Sequence, residues 1–128
     1  MEIKNNYNNE NGMARNDNIS DRVFCLSEYE VMTYFSDKYS RRAGVTDYAM
    51  RKVDRSDRKW FMDARSCTGN YWLRTLKCEK SFVMAMYVNY DGILRTSVVG
   101  NEPWLEGIRP ALWLNLEGFV ASEKMFDR

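Results

Sequence analysis

Two aromatic-aliphatic segments of this chain each enclose an arginine: Tyr71-Trp72-Leu73-Arg74-Thr75 and Ile108-Arg109-Pro110-Ala111-Leu112-Trp113-Leu114. A guanidinium inside such a strand is costly unless carbonyls or a carboxylate hold it. The pattern therefore calls for a β-rich core with built-in partners for two cations. The expected holders are main-chain carbonyls or a carboxylate such as Asp91, with Arg74 and Arg109 fixing the sheet. An arginine that anchors a ligand is the alternative.

Upstream, residues 1–19 are rich in Asn and poor in apolar side chains. They cannot bury enough surface to offset their ordering entropy, so a flexible arm is expected there. Residues 20–120 read as one α+β domain and 121–128 as a tail. Order is expected to begin at Arg22-Val23-Phe24-Cys25-Leu26, a short strand. Ser27 followed by Glu30 spells a capping box, and Leu26 with Val31 spells a hydrophobic staple. A helix is predicted over 28–35, with Val31, Tyr34 and Phe35 as its apolar face and Ser36-Asp37 as its end. Thr46 can cap a second short helix over 47–53.

From Tyr71 onward the pattern is β. Phe82 to Val88 is apolar on both faces, which predicts a central strand covered on both sides. Asn89-Tyr90-Asp91-Gly92 predicts a turn, with Gly92 supplying a positive φ. Residues 93–99 return antiparallel, and 108–114 form a last core strand in which Pro110 marks an edge, a bend or a bulge. Trp72 and Trp113 fall within these strands and are expected in the core.

Composition narrows the function. With 19 basic and 18 acidic side chains, the 128-residue chain has no global field to draw nucleic acid or an anionic membrane. It has no apolar run long enough for a membrane span and no signal-peptide pattern, so a cytoplasmic protein is expected. Histidine is absent, which removes Ser-His-Asp and Cys-His machinery. Cys25, Cys67 and Cys78 are widely spaced and lack Cys-x-x-Cys pairing, so no zinc site is expected. Asn89, Asp91, Asn101 and Glu102 are loop oxygen donors, but turn chemistry alone accounts for Asn89 and Asp91 and the carboxylate-rich signature of a calcium loop is absent, so no calcium site is expected.

Six segments carry a resemblance. They are Asp21-Arg22-Val23-Phe24-Cys25-Leu26-Ser27, Tyr34-Phe35-Ser36-Asp37, Thr46-Asp47-Tyr48-Ala49, Tyr71-Trp72-Leu73-Arg74-Thr75, Val88-Asn89-Tyr90-Asp91-Gly92 and Ile108-Arg109-Pro110-Ala111-Leu112. In order and spacing, across about residues 20–116, they resemble the bacterial family called domain of unknown function 6273. Tyr71 stands where that family has the first Trp of a pair, and Thr75-Leu76 stands where it has Ser-Pro, which would alter a rigid turn. The family usually carries further strands and a long helix before the first of these segments. The chain is thus expected to be a C-terminal part of the module, with self-association or a partner chain covering what is lost.

The resemblance implies an α+β fold with a mostly antiparallel sheet and two short helices, C-type-lectin-like and truncated. The same order of elements is similar to the formylglycine-generating-enzyme fold. Such folds host lectins, receptors, phage-tail binders and an oxidase, so fold leaves function open. The expectation is a non-catalytic binding module for a protein or carbohydrate, without cofactor. Its loops at 54–70 and 100–107 offer Trp60, Arg65, Glu102 and Trp104 as contact residues. One alternative is nucleic-acid binding through residues 41–65, with eight Lys or Arg against four Asp. The other is a remnant of a formylglycine-generating-type enzyme using Cys67 and Cys78.

Overall fold

A computed structural model describes residues 2–3, 19–20, 23–98 and 106–114. Strands β1 (Glu2–Ile3), β2 (Ile19–Ser20) and β3 (Phe24–Cys25) lead into helices α1 (Glu28–Tyr34) and α2 (Lys38–Arg41). Next come β4 (Ala43–Gly44), α3 (Asp47–Lys52), α4 (Arg58–Phe61), β5 (Met62–Asp63) and β6 (Thr68–Gly69). The hairpin of β7 (Tyr71–Glu79) and β8 (Phe82–Val88) precedes β9 (Leu94–Val98) and β10 (Pro110–Ala111). The architecture is α+β, and its strand pairs are antiparallel. One parallel bridge joins Tyr71 to Gly107.

The helix starts follow from capping. Ser27 Oγ accepts the Glu30 N–H at 3.2 Å, and Glu30 Oε2 accepts the Ser27 N–H at 2.8 Å. This reciprocal box opens α1, and Leu26 and Val31 both join the core. Tyr34 is exposed, so the buried face of α1 is Val31 with Phe35 just beyond it. Thr46 Oγ1 accepts the Ala49 N–H at 3.1 Å and opens α3. Ser36-Asp37 does more than end α1: Asp37 Oδ1 accepts the Ser40 N–H at 2.8 Å and starts α2. With α2 and α4, the described residues hold four helices where two were expected.

The strands divide into small sheets rather than forming one: β1-β2, β10-β3, β4-β6-β5 and β7-β8-β9. The β1-β2 pair brackets the Asn-rich stretch. Leu76 keeps the N–H that a proline would lack, so β7 runs on to Glu79, with a register shift between Trp72 and Leu76. β8 is central, as expected, but covered mainly at one end. Met86 and Val88 are buried while Phe82 is 58% exposed, because the β7-β8 hairpin extends past the core.

The core gathers Phe24, Leu26, Val31, Tyr71, Leu73, Met86 and Val88. It takes one face of β7; Trp72 lies half-buried between those positions and meets Tyr87 edge-on at 5.9 Å. The expected last strand shrinks to Pro110–Ala111, which pairs with Cys25 and Phe24. Trp113, expected in the core, is 47% exposed and covers Phe24 and Tyr34 from outside. Gly92 has φ 82°, and a side chain there would fall on the Lys38 carbonyl, so the turn at 89–92 docks directly on α2.

Candidate functional site

The two arginines of the β segments have different surroundings. Arg74 forms a two-pronged pair with Glu30, Nη2 lying 2.9 Å from Oε1 and Nη1 bonding Oε2. Nη1 also donates to the Cys25 carbonyl at 2.7 Å. Glu30 therefore closes the capping box of α1 and neutralises β7 with the same carboxylate. Thr75, next in the chain and fully buried, accepts the Glu28 N–H at 2.8 Å. That bond satisfies one of the donors a helix start leaves free. Asp91 is not the partner of either arginine. It lies on the turn at 89–92 and meets Arg42 instead, at 3.6 Å.

Arg109 follows Gly107 and Ile108, whose segment lies against the start of β7. Trp72 donates to the Gly107 carbonyl at 2.9 Å, and Gly107 donates to the Asn70 carbonyl at 2.8 Å. Arg109 Nη1 donates to the Arg41 carbonyl at 3.2 Å and to the Tyr71 hydroxyl at 3.1 Å. Its guanidinium lies 4.9 Å from the Phe35 ring centre and 5.1 Å from that of Tyr71. The Tyr71 hydroxyl in turn donates to the same Arg41 carbonyl at 2.6 Å. Burial pushes the Tyr71 phenol above its ordinary value, against the pull of Arg109. It is therefore a proton donor at neutral pH. Among the described residues no carboxylate pairs with Arg109.

Arg109 lines a cleft of about 360 Å³. Its walls come from the chain around β4 and α3, from Phe61, from Gly69 to Tyr71 and from Gly107 to Pro110. Val45, Ala49, Phe61 and Ile108 make it largely apolar, with Arg42, Arg109, Asn70 and Thr46 as the polar groups. Gly69 lets this junction close, since a Cβ there would stand 2.5 Å from the Val45 methyl and force it to move. Arg42 stacks on Tyr39 at 4.9 Å, and its Nε has no hydrogen-bond partner among the described residues.

Asn70 holds the cleft together. Its main-chain N–H bonds the Phe61 carbonyl and its side-chain amide the Trp60 carbonyl, both at 2.8 Å. Its Oδ1 accepts the Tyr90 N–H at 2.9 Å, which ties in the 89–92 turn. No sequence pattern marks this role; the available hint is a polar residue between Gly69 and an aromatic strand.

Of the contact residues expected from sequence, Trp60 is on α4 and 62% exposed, with the Lys59 ammonium 5.2 Å from its ring centre. Arg65 is exposed on the turn between β5 and β6. Trp60 neighbours the cleft through Phe61 and through its carbonyl bond to Asn70. Glu102 and Trp104 lie outside the described residues, as does Asn101. In the basic stretch, Arg41, Arg51 and Arg58 donate to the carbonyls of Phe35, Asp47 and Val53. Cys67 is exposed on a turn and Cys78 is buried near the far end of β7, both as free thiols. Among the described residues no group of His, Cys, Asp and Glu could hold a metal ion, and no helix is long and apolar enough to cross a membrane.

The fold and cleft define a small α+β domain with a basic, partly apolar recess. The sequence model of a family described as domain of unknown function (DUF6273) matches residues 1–116, and the chain belongs to that family. The match takes in the Asn-rich stretch as well as the segments from residue 20 onward. Neither a curated protein nor a solved structure matches the chain.

Proposed function

We propose that this domain is a non-catalytic binding module, with its contact face at residues 54–70 beside the cleft. The observation that carries the reading is the cleft wall itself. It presents the guanidinium-bearing Arg42 and Arg109 and the hydroxyl-bearing Thr46 and Tyr71 on an apolar lining, a combination suited to recognising a ligand. The exposed indole of Trp60 offers rigid contact area at its side. The C-type-lectin-like order of elements that the sequence resemblance implies adds support by analogy and favours a protein or carbohydrate ligand. Self-association belongs to the same proposal. Among the described residues β9 has no strand on its outer side, and open edges recruit other chains.

Glycan and peptide arrays probed with the wild type, Trp60→Ala and Arg65→Ala test the reading. Losing an aromatic anchor costs about 2 kcal/mol or more, roughly a thirtyfold weakening. Normal binding by both variants would remove the contact face. Substrate turnover that disappears on replacing Cys67 or Cys78 would replace the binding module with an enzyme.

A further inference from the structure

We propose that the cleft is a binding site for a small organic anion, a carboxylate or phosphate head on an apolar body, with Arg109 as its anchor. This deepens the binding-module reading by naming a ligand class and a second contact point apart from Trp60.

Three observations carry it. First, the Arg109 guanidinium is half-buried, pairs with no carboxylate among the described residues, and uses only Nη1 in hydrogen bonds there. Such a cation gains from an anion that supplies two parallel acceptors. Second, the guanidinium is already oriented. The Arg41 carbonyl, the Tyr71 hydroxyl and the two flanking rings fix its plane, so little side-chain freedom remains to be lost on binding. Third, the cleft has room and chemistry for the rest of the molecule. Its volume of about 360 Å³ falls in the range of small-ligand pockets, and Val45, Ala49, Phe61 and Ile108 give it an apolar lining. Arg42, on the same wall, stacks on Tyr39, meets Asp91 at a long 3.6 Å and has an Nε without a partner among the described residues, so it adds a second, partly matched positive charge.

The neighbouring Arg74 is the internal control. It sits in the same kind of aromatic-aliphatic sequence, within β7 where Arg109 stands just before β10, but Glu30 neutralises it. Were Arg109 purely structural, the chain could have met it in the same way.

The test is titration of the domain with benzoate, phenyl phosphate, inorganic phosphate and benzyl alcohol at constant ionic strength. Amide NMR shifts at Gly69, Gly107 and Arg109 give the readout. Benzoate or phenyl phosphate should produce saturable shifts at these three amides, at least about tenfold tighter than benzyl alcohol, since a charge-assisted pair adds that much. The better of the two identifies the head group. Arg109→Gln should weaken binding by about tenfold or more, and Arg42→Gln by less. Arg42→Gln also serves if Arg109→Gln fails to fold, and it should then weaken the charged probes but not benzyl alcohol. Equal binding of benzyl alcohol and benzoate, unsaturable shifts with all probes, or unchanged binding in the arginine variants would overturn the proposal. A domain that ignores these anions yet loses an array ligand with Trp60→Ala would sink the anion site alone. Anion binding without any effect of Trp60→Ala or Arg65→Ala on array ligands would sink the contact face alone.

Discussion

Around Arg74 the chain has spent its polar groups on itself. Glu30 meets the guanidinium with both oxygens, the Cys25 carbonyl takes a further bond, and the two side chains are 10% and 7% exposed. Around Arg109 the chain has built a support and left the charge unmatched. A carbonyl, a phenol and two rings hold the guanidinium of Arg109, a residue that lines a cleft. Both arginines occur in aromatic strand sequence, and the difference lies in what packs against each. The first faces the start of a helix, whose capping glutamate serves twice. The second faces the C-terminal end of α2, where only a carbonyl is available. The first arrangement closes a fold, while the second prepares a site.

The contrast is broken most severely at Glu30 and Arg74. Removing one member of a buried pair leaves the other charge unpaired and costs about 3–5 kcal/mol. Arg74→Met or Glu30→Gln should therefore lower the thermal midpoint by roughly 10 °C or more. A midpoint within a degree or two of wild type would mean that the pair does not hold α1 to β7. Asn70→Ala comes next. It orphans the Trp60 carbonyl and the Tyr90 N–H, at about 1–3 kcal/mol for each group that stays buried. Amide exchange should rise together at Tyr90 and Gly107; a rise at only one of them would separate the turn from the cleft.

The alkaline limb gives a smaller effect. Burial raises the Tyr71 phenol, so the folded state holds that proton more tightly than the unfolded chain does. Its contribution is complete below the unfolded value of 10.0 and is lost as pH rises through the higher folded value. Denaturant midpoints should thus fall as pH rises above 10.0, and less steeply in Tyr71→Phe. Tyr87, also raised by burial, leaves a residual slope in the same direction. Identical slopes in the two proteins would detach Tyr71 from the effect. Asp91→Asn should matter least. Its 3.6 Å pair with Arg42 is partly solvated, and such pairs contribute about 0–1 kcal/mol. A loss well above that would restore Asp91 as a structural counter-ion.

The features legible in the sequence are local. Ser27 and Glu30, Thr46, and Gly92 announce their caps and turn within a few residues, and β8 falls on the predicted 82–88. The short α2 escapes notice because Asp37 reads equally well as a stop for α1 and as a cap for a second helix. The partner of Arg74 is hidden because Glu30 is 44 residues away, and its evident task is capping. Trp113 looks like core because it lies in an apolar run, yet strand pairing there stops at Ala111. The cleft is invisible in sequence because its walls are drawn from residues 42 to 110, and only the folded chain brings Arg42, Asn70 and Arg109 together.

The most direct measurement is the thermal midpoint of wild type, Arg74→Met and Arg109→Gln against increasing benzoate or phenyl phosphate at fixed ionic strength. A ligand that binds only the folded state stabilises it by about 2.7 kcal/mol at a hundred times its dissociation constant. If Arg109 is the anchor, the midpoint rises with one of these anions in wild type, rises equally from a lower start in Arg74→Met, and stays flat in Arg109→Gln. An equal rise in wild type and Arg109→Gln, or no rise in either, would contradict the division between a closed arginine and an open one.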